Sequence, residues 1–165
     1  MRRAVPIRLF VVVIAIGSVT AIPLAAPASA AAVVGACTKL VSPPPVTINK
    51  VLTSKSTVSA CTPTAITGGT GKSVTQIGIK VGGKVVSVST TTWGGGKGTT
   101  IATLTYTAAK SLGNCPKGSI FREITVGTIT GGTNKAFAKG TKESATACVA
   151  KNSSATLAPG TAWKF

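Results

Sequence analysis

Apolar and polar residues alternate over much of the chain, and the period is two rather than three to four. Val74 to Val81 and Lys84 to Thr92 are β-branched runs separated by Gly82-Gly83. Two glycines between two such runs are the signal of a tight β-hairpin. Thr99 to Thr107 carries Ile101, Leu104 and Tyr106 as a further strand, and Ser119 to Thr130 alternates for twelve residues. On that last strand Ile120, Arg122, Ile124, Val126 and Thr128 share one face, and Phe121, Glu123, Thr125 and Ile129 share the other. Shorter strands are predicted at Val46 to Asn49, Thr57 to Cys61, Lys142 to Lys151 and Gly160 to Phe165. Val41 to Pro45 is a stiff polyproline lead-in, compatible with a sheet edge. Thr64 to Lys72, the Gly-rich stretch Trp93 to Gly98, and Lys110 to Gly118 read as turns. No stretch follows a helical period; Ser144 to Ala150 is rich in alanine, but Thr146, Cys148 and Val149 favour strand.

Seven or eight short strands between turns predict an all-β domain. The expected architecture is an antiparallel β-sandwich, Ig-like in layout, with a small β-barrel as the alternative.

The first thirty residues break this pattern. Met1 to Arg8 is basic, Leu9 to Val19 is an uncharged apolar run, and Pro23 to Ala30 is small and neutral. The segment ends in Ala28-Ser29-Ala30, which a signal peptidase accepts, so 1–30 reads as a helical signal peptide cleaved after Ala30. The apolar run is shorter than the roughly 18–20 residues needed to span a bilayer, so no integral membrane span is expected after cleavage. Val34 to Cys37 loosely resembles a lipobox, but it lies far from the apolar run, and lipidation would leave an odd number of cysteines. Residues 31–165 then form one domain of 135 residues, long enough for its own core. The protein is expected to be secreted or held in the cell envelope.

Composition narrows the chemistry. Aromatic residues are 4 % of the chain and charged residues 12 %. The core should rest on Val, Ile, Leu, Ala and threonine methyls, and the surface on Thr, Ser and Gly. Beyond Ala30, fifteen basic residues, fourteen of them lysine, face only Glu123 and Glu143. The lysines are scattered singly without interleaved aromatics, which points away from nucleic acid. They make a soluble, positively charged surface able to attract anionic envelope polymers or lipid headgroups.

The chain has no His and no Asp. This excludes Ser-His and Cys-His nucleophiles and imidazole metal ligands, and no cofactor or metal is expected. Glu123 and Glu143 are the only carboxyl pair available to a hydrolase. The primary expectation is a non-enzymatic protein, with such a hydrolase as a distant alternative. Gly68 to Ser73 resembles the end of a phosphate loop, but Ile66 occupies the first glycine position and the chain has no Asp to hold Mg²⁺. Trp93 at the mouth of a glycine loop is either a stacking platform for a glycan or lipid ligand, or a plug in the core. Trp163 and Phe165 alternate as in outer-membrane barrel termini, but Lys80, Lys84 and Arg122 interrupt any lipid-facing band. Asn152 to Ser154 fits a glycosylation sequon.

Cys37, Cys61, Cys115 and Cys148 are an even set without a C-x-x-C motif, which predicts two structural disulfides in an exported chain. Of three possible connectivities, Cys37–Cys61 with Cys115–Cys148 is preferred because it staples the domain near each end.

Cys37, Ser42-Pro-Pro-Pro-Val-Thr47, Thr57-Val-Ser-Ala-Cys61, Trp93 to Thr100 and Tyr106 together resemble an uncharacterised family of small secreted actinobacterial β-rich proteins. The resemblance spans nearly all of 31–165 and implies a secreted β domain. It implies no activity and no catalytic residues, and the lysine excess and the Lys139 region depart from it.

Overall fold

The computed structural model describes residues 35–78, 80–81 and 84–165. The signal-peptide reading of 1–30, with Ala28 and Ala30, and the tip of the Gly82-Gly83 hairpin lie outside these residues. The strands are β1 (Ala36–Ser42), β2 (Val46–Ile48), β3 (Val51–Thr62), β4 (Thr70–Gln76), β5 (Lys80–Val81), β6 (Lys84–Trp93), β7 (Thr99–Ala108), β8 (Ser119–Gly131), β9 (Lys142–Ala150), β10 (Ala155–Leu157) and β11 (Trp163–Lys164). The one helix among the described residues, α1 (Thr64–Thr67), joins β3 to β4. It occupies the stretch that the sequence marks as turn, and β4 begins earlier than expected, at Thr70. Lys80 pairs with Val85 and Val81 with Lys84.

Every pairing is antiparallel. From β3 the ladder runs through β4, β6, β7, β8 and β9 without a break, and β9 pairs with β10 and β11. Both of those short strands pair with β1, and β1 pairs with β3. The sheet therefore closes into an eight-stranded barrel, with β10 and β11 sharing the eighth position. This corrects the expected sandwich to its alternative.

The reason lies in which face is buried. Ser73, Thr75, Ser87, Ser89, Thr91, Thr100 and Thr125 are buried, whereas Val74, Val86, Val88, Ile101, Ile124 and Val126 between them are exposed. Two sandwiched sheets need large apolar side chains on both inner faces. Here the inner face of β4 and β6 carries hydroxyls that satisfy one another: Ser73 Oγ and Thr91 Oγ1 lie 2.7 Å apart, and Thr75 Oγ1 donates to Ser89 Oγ at 2.9 Å. Hydroxyl pairs of this kind suit the interior of a closed barrel, where no second sheet packs against them. Of the expected core of Val, Ile, Leu, Ala and threonine methyls, these strands bury threonines and turn Val and Ile outward.

The large side chains gather at one end. Trp93 stacks on Phe137 with ring centroids 5.2 Å apart, and Phe165 meets both edge-on at 5.5 and 5.1 Å. Val58, Ala102, Leu104 and Ile129 pack onto this plug. The loop after β8 closes the end: Asn134 Nδ2 donates to the Ile66 carbonyl at 3.0 Å, and Trp93 Nε1 donates to Thr100 Oγ1 at 3.2 Å. Gly35 lies against the Phe165 ring and exchanges two backbone hydrogen bonds with it, so the last residue is tied to the start of β1.

The disulfides are Cys37–Cys61 and Cys115–Cys148, and no cysteine is free. Cys37 and Cys61 are directly opposed in the β1–β3 ladder, so the first bridge fastens the seam that closes the barrel. The second fastens the loop between β7 and β8 over the outer face of β9, where Cys148 is 4 % exposed. Each covalent loop is worth about 3–4 kcal/mol in the chain-entropy account.

Candidate functional site

The other half of the barrel is not filled. A cavity of about 230 Å³ lies among the halves of β4, β7, β8 and β9 remote from the aromatic plug. That volume corresponds to roughly eight waters of bulk liquid. One wall is hydroxyl-bearing: Ser42 from β1, Ser54 and Ser56 from β3, Ser73 and Thr75 from β4. Ser42 Oγ stands 3.0 Å from both Ser54 Oγ and Ser56 Oγ, so these three form one cluster. The opposite wall is apolar, built by Leu104, Phe121, Ala145, Ala147, Val149 and Trp163. Strand alternation produces this division, because β1, β3 and β4 turn serine and threonine inward while β9 turns alanine and valine inward.

Two ionisable side chains enter the cavity, Tyr106 from β7 and Glu123 from β8. Tyr106 pairs with Thr125, and Glu123 is two residues from Thr125 on the same face, so the two are diagonal neighbours. Burial pushes the Tyr106 phenol well above its ordinary range, the Glu123 charge adds to this, and a hydrogen bond with Thr75 opposes it. Tyr106 is therefore a neutral hydroxyl. Burial also raises the Glu123 carboxyl above the usual carboxylate range. Among the described residues no lysine or arginine lines the cavity.

Glu143 is the second carboxyl, 7 % exposed, with Oε2 lacking any hydrogen-bond partner. Burial raises it to about 7, and the Trp163 indole opposes that shift through a hydrogen bond. It does not line the cavity. Glu143 pairs with Gly127 and Glu123 with Ala147, which puts the two carboxyl-bearing residues four positions apart along the ladder, about 13 Å at 3.3 Å per residue. A glycosidase pair flanks one bond, at about 5 Å in retaining enzymes and 6.5–9.5 Å in inverting ones. The structure places the two glutamates at different levels of the barrel, and Trp163, which lines the cavity, hydrogen-bonds Glu143. Among the described residues, no three His, Cys, Asp or Glu side chains gather as metal ligands.

Of the other residues singled out in the sequence, Trp93 is 6 % exposed and belongs to the plug, not to the cavity. Gly68 ends α1 in a left-handed conformation, and Ser73 is an inward residue of β4 bonded to Thr91, so Gly68 to Ser73 makes no phosphate cradle. Asn152 lies in an exposed turn, its Oδ1 accepting from the Ser154 amide and hydroxyl. All thirteen lysines with a described side chain are exposed. The sequence by itself assigned no site role to Ser42, Ser54, Ser56, Thr75 or Tyr106. Their one sequence signal is hydroxyl residues two apart, at 54 and 56 and at 73 and 75, each separated by a single residue.

Compared with known proteins, the chain matches no family model, no curated protein and no solved structure. Its fold and site define a small disulfide-bonded closed β-barrel, plugged at one end and hollow at the other.

Proposed function

We propose that this is an exported, non-enzymatic binding barrel that holds a small ligand in its cavity. The observation that carries the reading is the two-sided lining: a hydroxyl wall to orient a polar group and an apolar wall to cover a hydrophobic body. Small-molecule sites combine apolar surface with a few placed polar groups in this way. The reading moves ligand contact from Trp93 to Leu104, Tyr106, Glu123 and Trp163. The non-enzymatic part is supported by a chain without His or Asp whose two carboxyls do not converge. Two disulfides suit an oxidising compartment outside the cytoplasm.

The test is saturable binding of small neutral amphiphiles, followed by amide chemical shifts. Shifts should concentrate at Leu104, Thr75 and Ala147 and spare Trp93, and Ala147→Phe should abolish them by filling the cavity. Absence of saturable shifts across a chemically varied set of such compounds counts against the reading.

A second feature concerns location. The exposed lysines favour loose attachment to anionic envelope polymers or lipid headgroups. Attachment of this kind is released by a few hundred millimolar salt, because screening shortens the range of surface charge. Retention unchanged at 1 M salt would overturn it.

A further inference from the structure

Both acidic residues of the chain project into the barrel, while every described lysine stands outside it. A carboxylate held in a partly apolar cavity is costly to leave without a counter-charge. Glu123 lies there beside a neutral phenol, facing hydroxyls from β3 and β4, and no basic side chain of the described residues lines the space with it. The surroundings can orient a charged hydrogen-bond donor but do not themselves supply one.

We infer that the cavity selects small organic amines, seating a protonated ammonium head against Glu123 with Tyr106 and Thr75 as hydroxyl acceptors, and laying the apolar body on Leu104, Ala145 and Trp163. This rests on the cavity-binding reading above and adds the charge of the ligand to it. An ammonium group has three donors, which suits one carboxylate and two hydroxyl oxygens. A neutral alcohol of the same shape leaves the carboxylate without a counter-charge. A carboxylate ligand brings a second negative charge to Glu123 and is repelled. The positive outer surface does not cancel this preference: its ammonium groups are solvated and screened over about 8 Å at physiological salt, whereas Glu123 is inside.

The experiment uses three probes of matched shape, phenethylamine, 2-phenylethanol and 3-phenylpropionate, titrated calorimetrically into the disulfide-bonded protein at constant ionic strength. Trp163 emission serves as a second readout. The amine should bind roughly ten- to a hundredfold more tightly than the alcohol, as a charge-assisted hydrogen bond requires, and the carboxylate should bind weakest. In Glu123→Gln the amine should fall to the level of the alcohol while alcohol binding persists. Equal binding of amine and alcohol by the unaltered protein overturns the inference and leaves the cavity-binding reading standing. So does an amine preference that survives Glu123→Gln. If none of the three probes binds, both fall. Because the probe series alone decides the charge preference, the inference stays testable even if the variant does not fold.

Discussion

Glu143 stands directly across the β8–β9 ladder from Gly127, and the missing side chain at 127 leaves that space to the Leu104 side chain. A Cβ at Gly127 would come within 2.5 Å of Leu104 Cδ2 and 3.5 Å of Glu143 Cβ. The space that a side chain at 127 would take is held by Leu104 from β7, while the Glu143 Cβ lies at ordinary contact distance.

Gly127→Ala should therefore destabilise the protein by about 1–3 kcal/mol, the usual cost of overpacking. Leu104 has to leave its position, so a shortened Leu104→Val should recover part of the loss. Chemical denaturation of the single and double variants checks this. Simple additivity of the two changes would show that Gly127 and Leu104 do not share the space.

Glu143 should also make stability depend on pH in an unusual direction. Its carboxyl titrates at about 7 when folded, against an ordinary 4.5, because burial disfavours the charge. Between these values the native state binds more protons than the unfolded state, so stability falls as pH rises through that window. The stabilisation is fully present below about pH 4.5 and lost above about pH 7, a difference on the order of 3 kcal/mol. Glu123 acts in the same direction. Glu143→Gln should flatten the profile and be the more stable protein at pH 8. Unfolding curves collected from pH 4 to 8 decide it; parallel profiles for the two proteins would refute the assignment.

The aromatic plug should dominate the stability of the closed end. Phe165→Ala removes a ring from a three-ring contact and should cost about 3–5 kcal/mol. Trp93 emission should shift red as water reaches it. Ligand binding at the far end should survive, since neither ring lines the cavity. Loss of binding in a still-folded variant would contradict the separation of plug and cavity.

The outer valines should be nearly silent. Val88 and Val126 are 48 % and 51 % exposed, so replacing either with threonine should change stability by no more than about 0.5 kcal/mol. Leu104→Ala, at a site 1 % exposed, should cost about 2–5 kcal/mol. Urea midpoints of the three variants provide the comparison, and a reversed order would mean that the strands face the other way.

The bridges should be distinguishable by where they loosen the fold. Removing Cys37–Cys61 opens the β1–β3 seam, and amide exchange should accelerate along β1. Removing Cys115–Cys148 frees the 109–118 loop, and exchange should accelerate there. Each loss should be about 3–4 kcal/mol. Indistinguishable exchange maps would show that the first bridge is not holding the seam.

Strand content and the presence of two bridges were legible in the chain, because period-two alternation and an even cysteine count can be read without the fold; which of three connectivities they take was not fixed by parity. The division of β8 into two faces was legible as well, with Phe121, Glu123, Thr125 and Ile129 on one side. Which of those faces lies inside was not. A threonine and a valine have similar shapes and the same strand preference, so the alternation of Val74 with Ser73 and Thr75 reads equally well in either sense. The hydroxyls of Ser73 and Thr75 find their partners only across the β4–β6 ladder, in Thr91 and Ser89, eighteen and fourteen residues away.

Sequence by itself determined an all-β chain, its residue chemistry and its poverty in acid–base groups, since these depend on local propensity and on which side chains exist at all. Tertiary structure alone decided that the sheet closes, that Trp93 becomes a plug, and that Glu123 faces a cavity while Glu143 is sealed beside Trp163. Closure depends on β1 pairing with both β3 and the chain's last strands. Contacts between residues more than a hundred positions apart leave no mark in a local pattern.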